Sequence, residues 1–377
     1  MSRQQTVQEC DHAIAELLPD LPRPEQKGLA ALVSGVVLAG TAVLSRASAA
    51  IPGQQQDRSK QQRAHRLLAN DRLDVGRAQR RLVERVVARR TGRLPVLVDA
   101  VTTGATAHHP GTMTLMVALA WHHRALPVLW RTWRTDQKGQ AWGQALRTML
   151  TTLAELLPAG LEVVVLADRG LSGEPLIRTI EEQGWQYLLR VKRDGTVCHP
   201  GGVCRLGELV PTPGTQQLLT AAAIWPPTSH HRPRWNAARH TNIVAVWRSQ
   251  DPEAWLLVTD LPASTQRCTE YRIRTWEEEL FRELKTLGWQ WNQSRVREPE
   301  RVERLLLVMA LATLWMAALG QRVVRSGWRS LVEERSRRCY SYIQLGRRWV
   351  NRLIANEEHV PCILRLYPQT AAPLKLS

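Results

Sequence analysis

Cysteine is scarce and scattered in this sequence, which argues against small folds held together by cross-links. The six cysteines are Cys10, Cys198, Cys204, Cys268, Cys339 and Cys362, and no two of them form a C-x-x-C pair. This spacing indicates neither a zinc module nor a disulfide framework. The first residues also lack the apolar segment of a secretory signal. We therefore expect a protein of the reducing cytoplasm.

Acidic residues are under-represented, since 34 Asp and Glu stand against 51 Lys and Arg, for a formal net charge of +17. Two segments carry nearly all of this excess. Residues 54–93 hold twelve basic and four acidic side chains, and residues 295–377 hold fifteen and seven. A basic excess at both ends of the chain favours a long polyanion, such as nucleic acid, as the partner. A membrane surface or an acidic protein is the alternative partner.

Phenylalanine is almost absent, with one Phe against fifteen Trp. Trp therefore serves as the general core aromatic, and any one Trp is more often packed than free to stack on a ligand. Long uncharged runs are also scarce. Residues 29–45 carry no charge, and this run is about as long as the shortest helices that span a membrane. We interpret this run as a buried helix and expect no membrane partner.

The pattern of residues 1–93 is helical throughout. It predicts a first helix near 4–17, a Pro-rich break, an apolar helix from Glu25, and two basic helices after Ile51. Stacked small helices with a basic face are common in duplex-binding proteins. We interpret 1–93 as a helical DNA-binding region, although a solvated charged face on a helical bundle explains the same pattern.

From residue 94 the pattern becomes that of an α/β fold. Three strand-like runs (LPVLVDA, TMTLMVALAW, ALPVLWRTW) precede a helix around 141–157, the strand LEVVVLAD, a helix around 174–183 and the strand QYLLRVK. This is the order of a ribonuclease H-like core. Residues 196–263 predict a β-rich insertion, and helices resume near Thr269. We therefore expect a catalytic core of 94–195 and 264–298, the insertion at 196–263, and a C-terminal helical region at 299–377 that forms a dimer.

Two aspartates follow predicted buried strands. Asp99 comes after PVLV and Asp168 after VVVLA, so neighbouring strands would bring both carboxylates to one edge of a sheet. Converging carboxylates are the oxygen ligands that two-metal phosphoryl transfer needs. Asp260 also follows an apolar run, LLVT, so a strand end alone does not mark a metal ligand.

A third carboxylate lies on the predicted helix TEYRIRTWEEELFRELKTLGW. At about 100° per residue, Arg274, Glu278 and Lys285 fall within roughly 60° of Tyr271. An apolar arc predicted to face the core contains Trp276, Leu280, Phe281, Leu284 and Leu287. Glu279 points away from the polar stripe, whereas Glu277 falls within the apolar arc for no evident reason. An ion pair of Arg274 with Glu278 on a solvated helix is the alternative explanation.

The spacing Tyr271-x2-Arg274-x3-Glu278-x6-Lys285 resembles the YREK signature of the DDE transposases of bacterial insertion sequences, in the insertion-sequence-four family. The resemblance spans about residues 94–291. It implies that Asp99, Asp168 and Glu278 bind two Mg²⁺ ions, for which Mn²⁺ would substitute. Those ions would activate water, and then the freed 3′-hydroxyl of the transposon end.

The resemblance also implies DNA contacts. Tyr271 and Arg274 would hold a phosphate near the transposon end, with Lys285 close to the cleaved strand. Relatives of this kind stack a flipped base on a Trp of the insertion. The candidates are Trp225 and Trp235, flanked by His230, His231, Arg232 and Arg234. Arg190 and Lys192 alternate along a strand, so they share a face that would meet DNA.

The resemblance thus implies a cut-and-paste DNA transposase. It would act on double-stranded DNA, both transposon ends and target, as a homodimer in the bacterial cytoplasm associated with the nucleoid. Two alternatives stay open. One is a catalytically inactive DNA-binding protein derived from such an element, and the other is a metal-dependent nuclease of the same fold.

Overall fold

Five helices form the N-terminal region of the protein, whose computed structural model describes residues 2–107, 109–137, 142–226, 228–229, 232–336 and 338–367. They are α1 (Ser2–Leu17), α2 (Arg23–Ala39), α3 (Leu44–Ala50), α4 (Asp57–Leu68) and α5 (Val75–Val87). Gly40, at φ +64°, ends α2 in the left-handed conformation that glycine adopts easily. The Asp74 carboxylate caps α5 by accepting from the Arg77 amide. The predicted helical character of this region is confirmed.

A mixed sheet follows, in the predicted order of strands and helices. Its first elements are β1 (Arg93–Thr103), β2 (Thr112–Trp121), β3 (Arg124–Arg134), α6 (Trp142–Leu156), β4 (Glu162–Ala167), α7 (Glu174–Glu182) and β5 (Gln186–Arg190). β1 pairs antiparallel with β2 and parallel with β4, and β4 pairs parallel with β5. This mixed α/β architecture with flanking helices confirms the predicted fold class.

The strands of residues 196–263 extend this sheet. They are β6 (Thr196–His199), β7 (Gly202–Arg205), β8 (Gln216–Ile224), β9 (Thr228–Ser229), β10 (Arg232–Pro233), β11 (Arg239–Val246) and β12 (Trp255–Thr259). The strand order is β3-β2-β1-β4-β5-β12-β11-β8-β6-β7, while β9 and β10 form a separate ribbon. Since β12 pairs directly with β5, the β-rich segment continues the central sheet.

The helix expected near Thr269 begins earlier, and it consists of α-helical segments interrupted by a 3₁₀ turn and followed by a π turn. α8 (Gln266–Tyr271) passes through a 3₁₀ turn at Arg272–Arg274 into α9 (Thr275–Arg282), and a π turn covers Glu283–Leu287. The prediction that Leu287 faces the core is wrong, because its side chain is 66% exposed. A π turn has more residues than an α turn, so its end is rotated relative to the predicted arc: Leu284 stays buried, whereas Leu287 turns outward.

A long apolar helix lies at the centre of the molecule. α10 (Pro299–Arg325) precedes α11 (Tyr342–Ala355), and it packs against α2, β3 and α11. In the described part of the chain, α10 is long and apolar enough to cross a membrane, and 94% of its apolar window is buried inside the protein. The bent pair α2 and α3 passes the same test only if its 98° bend is ignored. One continuous core includes side chains from the N-terminal helices, the sheet and α10.

Candidate active site

Two parallel neighbouring strands position the two aspartates. Val98 of β1 pairs with Ala167 of β4, and each of these residues directly precedes an aspartate. Asp99 and Asp168 therefore lie side by side on neighbouring strands. Asp168 directly follows β4, as expected, but the expectation that Asp99 ends its strand is wrong, because β1 continues to Thr103 and Asp99 pairs with Met116 of β2. Glu278 reaches the same place from the first turn of α9.

A single guanidinium connects the three carboxylates. Nη2 of Arg274 lies 2.5 Å from Oδ2 of Asp99 and 3.9 Å from Oδ2 of Asp168, while Nη1 pairs with Oε1 of Glu278. The Arg274 side chain is only 11% exposed. The ion pair between Arg274 and Glu278 therefore exists. Its arginine is buried and shared with Asp99 and Asp168, whereas the Glu278 side chain is 55% exposed.

The electrostatics of this cluster favour a cation at its centre. Burial raises the pKa of Asp99, Arg274 opposes that rise, and the negative charges of Asp168 and Glu278 add to it. Burial also lowers the pKa of Arg274, but Asp99, Tyr271 and Asp168 outweigh this effect and raise it on balance. Carboxylates that repel one another at close range need a positive partner to stay ionised together.

The donor chemistry of the cluster fits a hard divalent cation, because all three side chains offer carboxylate oxygens. Among the described residues, however, no group of three or more His, Cys, Asp and Glu is arranged ready to hold a metal ion. The guanidinium of Arg274 fills the point where the carboxylates converge. A metal would therefore have to displace Arg274 from Asp99.

Tyr271 supports the cluster from behind. Its side chain is buried, and its hydroxyl donates to the carbonyl of Ala167, 3.1 Å away, at the end of β4. Its ring contacts Trp255 edge-on at 5.7 Å between centroids. Burial raises the pKa of this phenol. Tyr271 therefore ties α8 to the residue directly before Asp168.

Glu277 is the unexpected member of this region. It is 0% exposed, and within the described residues neither of its carboxyl oxygens has a hydrogen-bond partner. Burial raises its pKa well above the usual value, and the nearby Asp99 charge raises it further. Its place in the apolar arc of the helix was the one sequence signal for this burial. Glu279, by contrast, pairs with Arg282 at the surface, 3.0 Å away.

Lys285 lies in the π turn that follows α9. Burial lowers the pKa of its ammonium group. It lines a cavity of about 370 Å³ together with residues 102–106, which follow Asp99 along the chain. π turns inside helices recur at functional sites.

The remaining predicted residues lie in different surroundings. Nη2 of Arg190 is 2.8 Å from Oε1 of Glu253, and its guanidinium lies over the ring of Trp255. Lys192 is exposed beyond the end of β5. Trp225, at φ +47°, directly follows β8, and Trp235 begins a 3₁₀ turn between β10 and β11; both are half-buried. His230 and His231 lie outside the described residues.

Asp260, the rival strand-end carboxylate, has a structural contact. Its Oδ1 accepts a hydrogen bond from the amide of Tyr187, at 3.0 Å, where β12 meets β5. Burial raises the pKa of this carboxyl group. Asp260 therefore closes the end of a strand pair outside the Arg274 cluster.

Comparison with known families adds independent support. Residues 136–315 match the family model of the transposase DDE domain. The match supports a DDE transposase. It covers a little less than half of the chain and includes Asp168, Arg274, Glu278 and Lys285, whereas Asp99 precedes it. The association of Asp99 with the other carboxylates therefore rests on the geometry of the sheet. No curated protein matches the chain.

Proposed function

We propose that this protein is a DNA transposase that cuts at the ends of an insertion sequence and joins them to target DNA. The observation that carries the proposal is the convergence of Asp99, Asp168 and Glu278 on one buried cation. The transposase DDE domain match supports it, as does the net charge of +17, which suits a DNA substrate.

Asp99, Asp168 and Glu278 are the residues that would hold two divalent ions, Mg²⁺ or Mn²⁺. Bound there, such ions would lower the pKa of a coordinated water or 3′-hydroxyl and neutralise charge on the attacked phosphate. The chain would supply the positioning. Tyr271 fixes the end of β4 before Asp168, and the guanidinium of Arg274 has the planar, two-donor geometry that a phosphate accepts. Lys285 would add a point charge near the cleaved strand.

The finer classification follows from the spacing of Tyr271, Arg274, Glu278 and Lys285, which favours the insertion-sequence-four family and its cut-and-paste route. Two ends must be held together for joining, so we infer a homodimer on double-stranded DNA in the bacterial nucleoid. Because α10 is enclosed within the core, the C-terminal surface free for that contact includes the half-exposed Trp328 and Leu331. Lys192, Arg190, Trp225 and Trp235 are proposed as secondary DNA contacts.

A supercoiled plasmid that carries the gene with its flanking DNA, incubated with the protein and Mg²⁺, tests this function. A transposase yields excised fragments and insertions with defined ends. Unspecific nicking would indicate a nuclease of the same fold. Binding without any cleavage would indicate an inactive DNA-binding protein, and either result would contradict the proposal.

A further inference from the structure

The segment between the π turn and α10 has a constrained backbone. Trp291 anchors it in the core, and Arg295 adopts φ +59° in the left-handed region that few side chains favour. The Ser294 amide donates to the Trp291 carbonyl, and the Ser294 hydroxyl accepts from the Val296 amide. Strained non-glycine residues of this kind cluster at functional sites. Here the strained backbone carries an exposed arginine.

This segment separates two cavities and lines both. A cavity of about 890 Å³ lies between it, residues 43–46 at the start of α3, the α4 surface around His65, and Arg301 on α10. The smaller cavity, about 370 Å³, lies between the same segment, Lys285 and the end of β1. Asn292, Arg295, Val296 and Arg297 line both cavities. We name these two adjacent cavities, with the segment between them, the arginine groove.

The arginine groove is strongly basic. It is lined by Arg46, Arg295, Arg297, Arg301 and Lys285, against the single carboxylate of Glu298. Within the described residues, none of the five cations forms an ion pair with a carboxylate. Arginines just outside the groove do: Arg304, one turn along α10, pairs with Asp71 at 2.7 Å. Clustered cations without carboxylate partners repel one another unless a polyanion lies between them.

The groove also leads to the carboxylate cluster. Its smaller cavity includes Thr103, four residues after Asp99 on the same face of β1 and hence about 13 Å along the strand. Its other end reaches α3 and α4, within the helical region 1–93 that the sequence assigns to DNA binding. The groove therefore extends from the N-terminal helices toward the site of the proposed cleavage.

We propose that the arginine groove binds the sugar-phosphate backbone of duplex DNA and guides it from α3 and α4 to the carboxylates. This assignment rests on the proposed function for its substrate class. The groove adds four arginines to the DNA contacts implied by the YREK signature: Arg46, Arg295, Arg297 and Arg301. Arg295 and Arg297, which face both cavities, are the central contacts.

The double substitution Arg295→Gln/Arg297→Gln tests the groove. The assay is binding of a 30-base-pair duplex without divalent metal, over a range of salt concentrations. Loss of two phosphate contacts lowers the affinity by about a hundredfold, and reduces the slope of log K against log salt by about 1.8. The matched control is Arg147→Gln/Arg178→Gln, which removes two exposed charges already paired with Glu182 and Glu174.

Equal DNA binding by the groove variant and its control would overturn the assignment. It would also be overturned if the groove variant lost binding to polyglutamate, tested in the same way, but bound the duplex as tightly as the wild type. If the loop substitutions unfold the protein, Arg46→Gln/Arg301→Gln changes two exposed helix residues and gives the same measurement. Plasmid cleavage by the wild-type protein is recorded separately. DNA binding without cleavage by the wild-type protein would contradict the proposed function. The assignment of the groove would still be decided by the duplex binding of the groove variant and its control.

Discussion

Arg274 is the residue on which the candidate site depends most. Its guanidinium forms ion pairs with three carboxylates, which come from β1, the end of β4 and α9. The same group would bind a phosphate once DNA and metal are present. We therefore interpret Arg274 as an internal cation that competes with the metal in the free protein.

Removal of that competitor should strengthen metal binding. Arg274→Gln keeps a polar side chain, two atoms shorter, and deletes the charge, so Mn²⁺ should bind the DNA-free protein about tenfold more tightly, equivalent to about 1.4 kcal/mol. Isothermal titration calorimetry measures this directly. Arg282→Gln is the control, since its partner Glu279 lies outside the cluster. Weaker Mn²⁺ binding by Arg274→Gln would show that the arginine supports the site and does not compete for it.

The sequence predicted which residues approach one another, but not how they interact. Apolar strand patterns and helical spacing placed Asp99, Asp168 and Glu278 near one another because these periodicities are local properties of the chain, although Asp99 lies within β1 and not at its end. The bridge from Arg274 to Asp99 spans 175 residues and depends on how α9 packs on the sheet. Glu277 was flagged by its position on the apolar arc, but its complete burial depends on the same packing.

At the scale of elements, two glycines fix the contact between α10 and α11. A Cβ atom on Gly320 would collide with the carbonyl of Tyr342, and one on Gly346 would collide with the carbonyl of Met316. Each collision involves backbone, which cannot rotate away as a side chain does. The two helices can therefore approach this closely only with glycine at both positions.

Gly320→Ala should lower the free energy of unfolding by about 2 kcal/mol or more, because the helices must separate and lose packing around them. Urea unfolding followed by circular dichroism measures the change. Gly143 provides the control, since it lies in α6 with no atom within 4 Å of a built Cβ. Gly143→Ala should stabilise the protein by about 0.5–1 kcal/mol. Equal effects at both positions would contradict the close contact.

Glu283, in the π turn, gives the structure a dependence on pH. Burial raises its pKa to about 7, against the opposing charges of Arg124 on β3 and Arg347 on α11, while Glu279 adds to the rise. The folded protein therefore binds one more proton than the unfolded chain between pH 4.5 and 7. Stability from this group is present below that window and is lost as the pH rises through it.

Glu283→Gln removes this dependence. The variant and the wild type should be of similar stability near pH 5, and the variant should be more stable at pH 8 by about 2–3 kcal/mol. Urea unfolding at the two pH values checks the difference. A stability gap that is the same at both pH values would mean that Glu283 does not titrate in this range.

The helix–strand order could be predicted from the sequence because its periodicities are local. The π turn could not, because the residues of Glu283–Leu287 continue an ordinary helical pattern. The Trp289 amide closes this turn by donating to the Glu283 carbonyl at 2.8 Å, and Trp289 is held by a tertiary contact, the donation from its indole to the Thr313 hydroxyl of α10 at 2.9 Å. The exposure of Leu287 follows from that turn.

At the scale of the whole molecule, the N-terminal helices share the core with the sheet and with α10. Gln79 of α5 donates to the carbonyl of Trp130 on β3, and Arg304 of α10 donates to the carbonyl of Leu68 on α4. The Val360 amide donates to the Thr6 hydroxyl across nearly the whole chain. Surface substitutions, and not truncations, are therefore the appropriate probe of the N-terminal region.

Long-range pairing also explains why the extent of the sheet was not foreseen. Short strands between residues 196 and 263 were predicted, but their union with β5 through β12 depends on pairing between Leu257 and Arg190. No local pattern specifies such a partner. The domain boundaries drawn from composition stay predictions, since the core is continuous across them.

The central claim is that Glu278, with Asp99 and Asp168, holds the metal ions that drive DNA cleavage. Its most direct test is single-turnover cleavage of a plasmid carrying the gene's flanking DNA, by Glu278→Gln and Glu279→Gln proteins at saturating Mg²⁺. Each substitution removes one negative charge, and the two positions are adjacent on α9. Glu279, however, pairs with Arg282 away from the cluster. Glu278→Gln should abolish cleavage while DNA binding stays near that of the wild type, and Glu279→Gln should cleave normally. Wild-type cleavage by Glu278→Gln would remove Glu278 from the metal site and contradict the proposed mechanism.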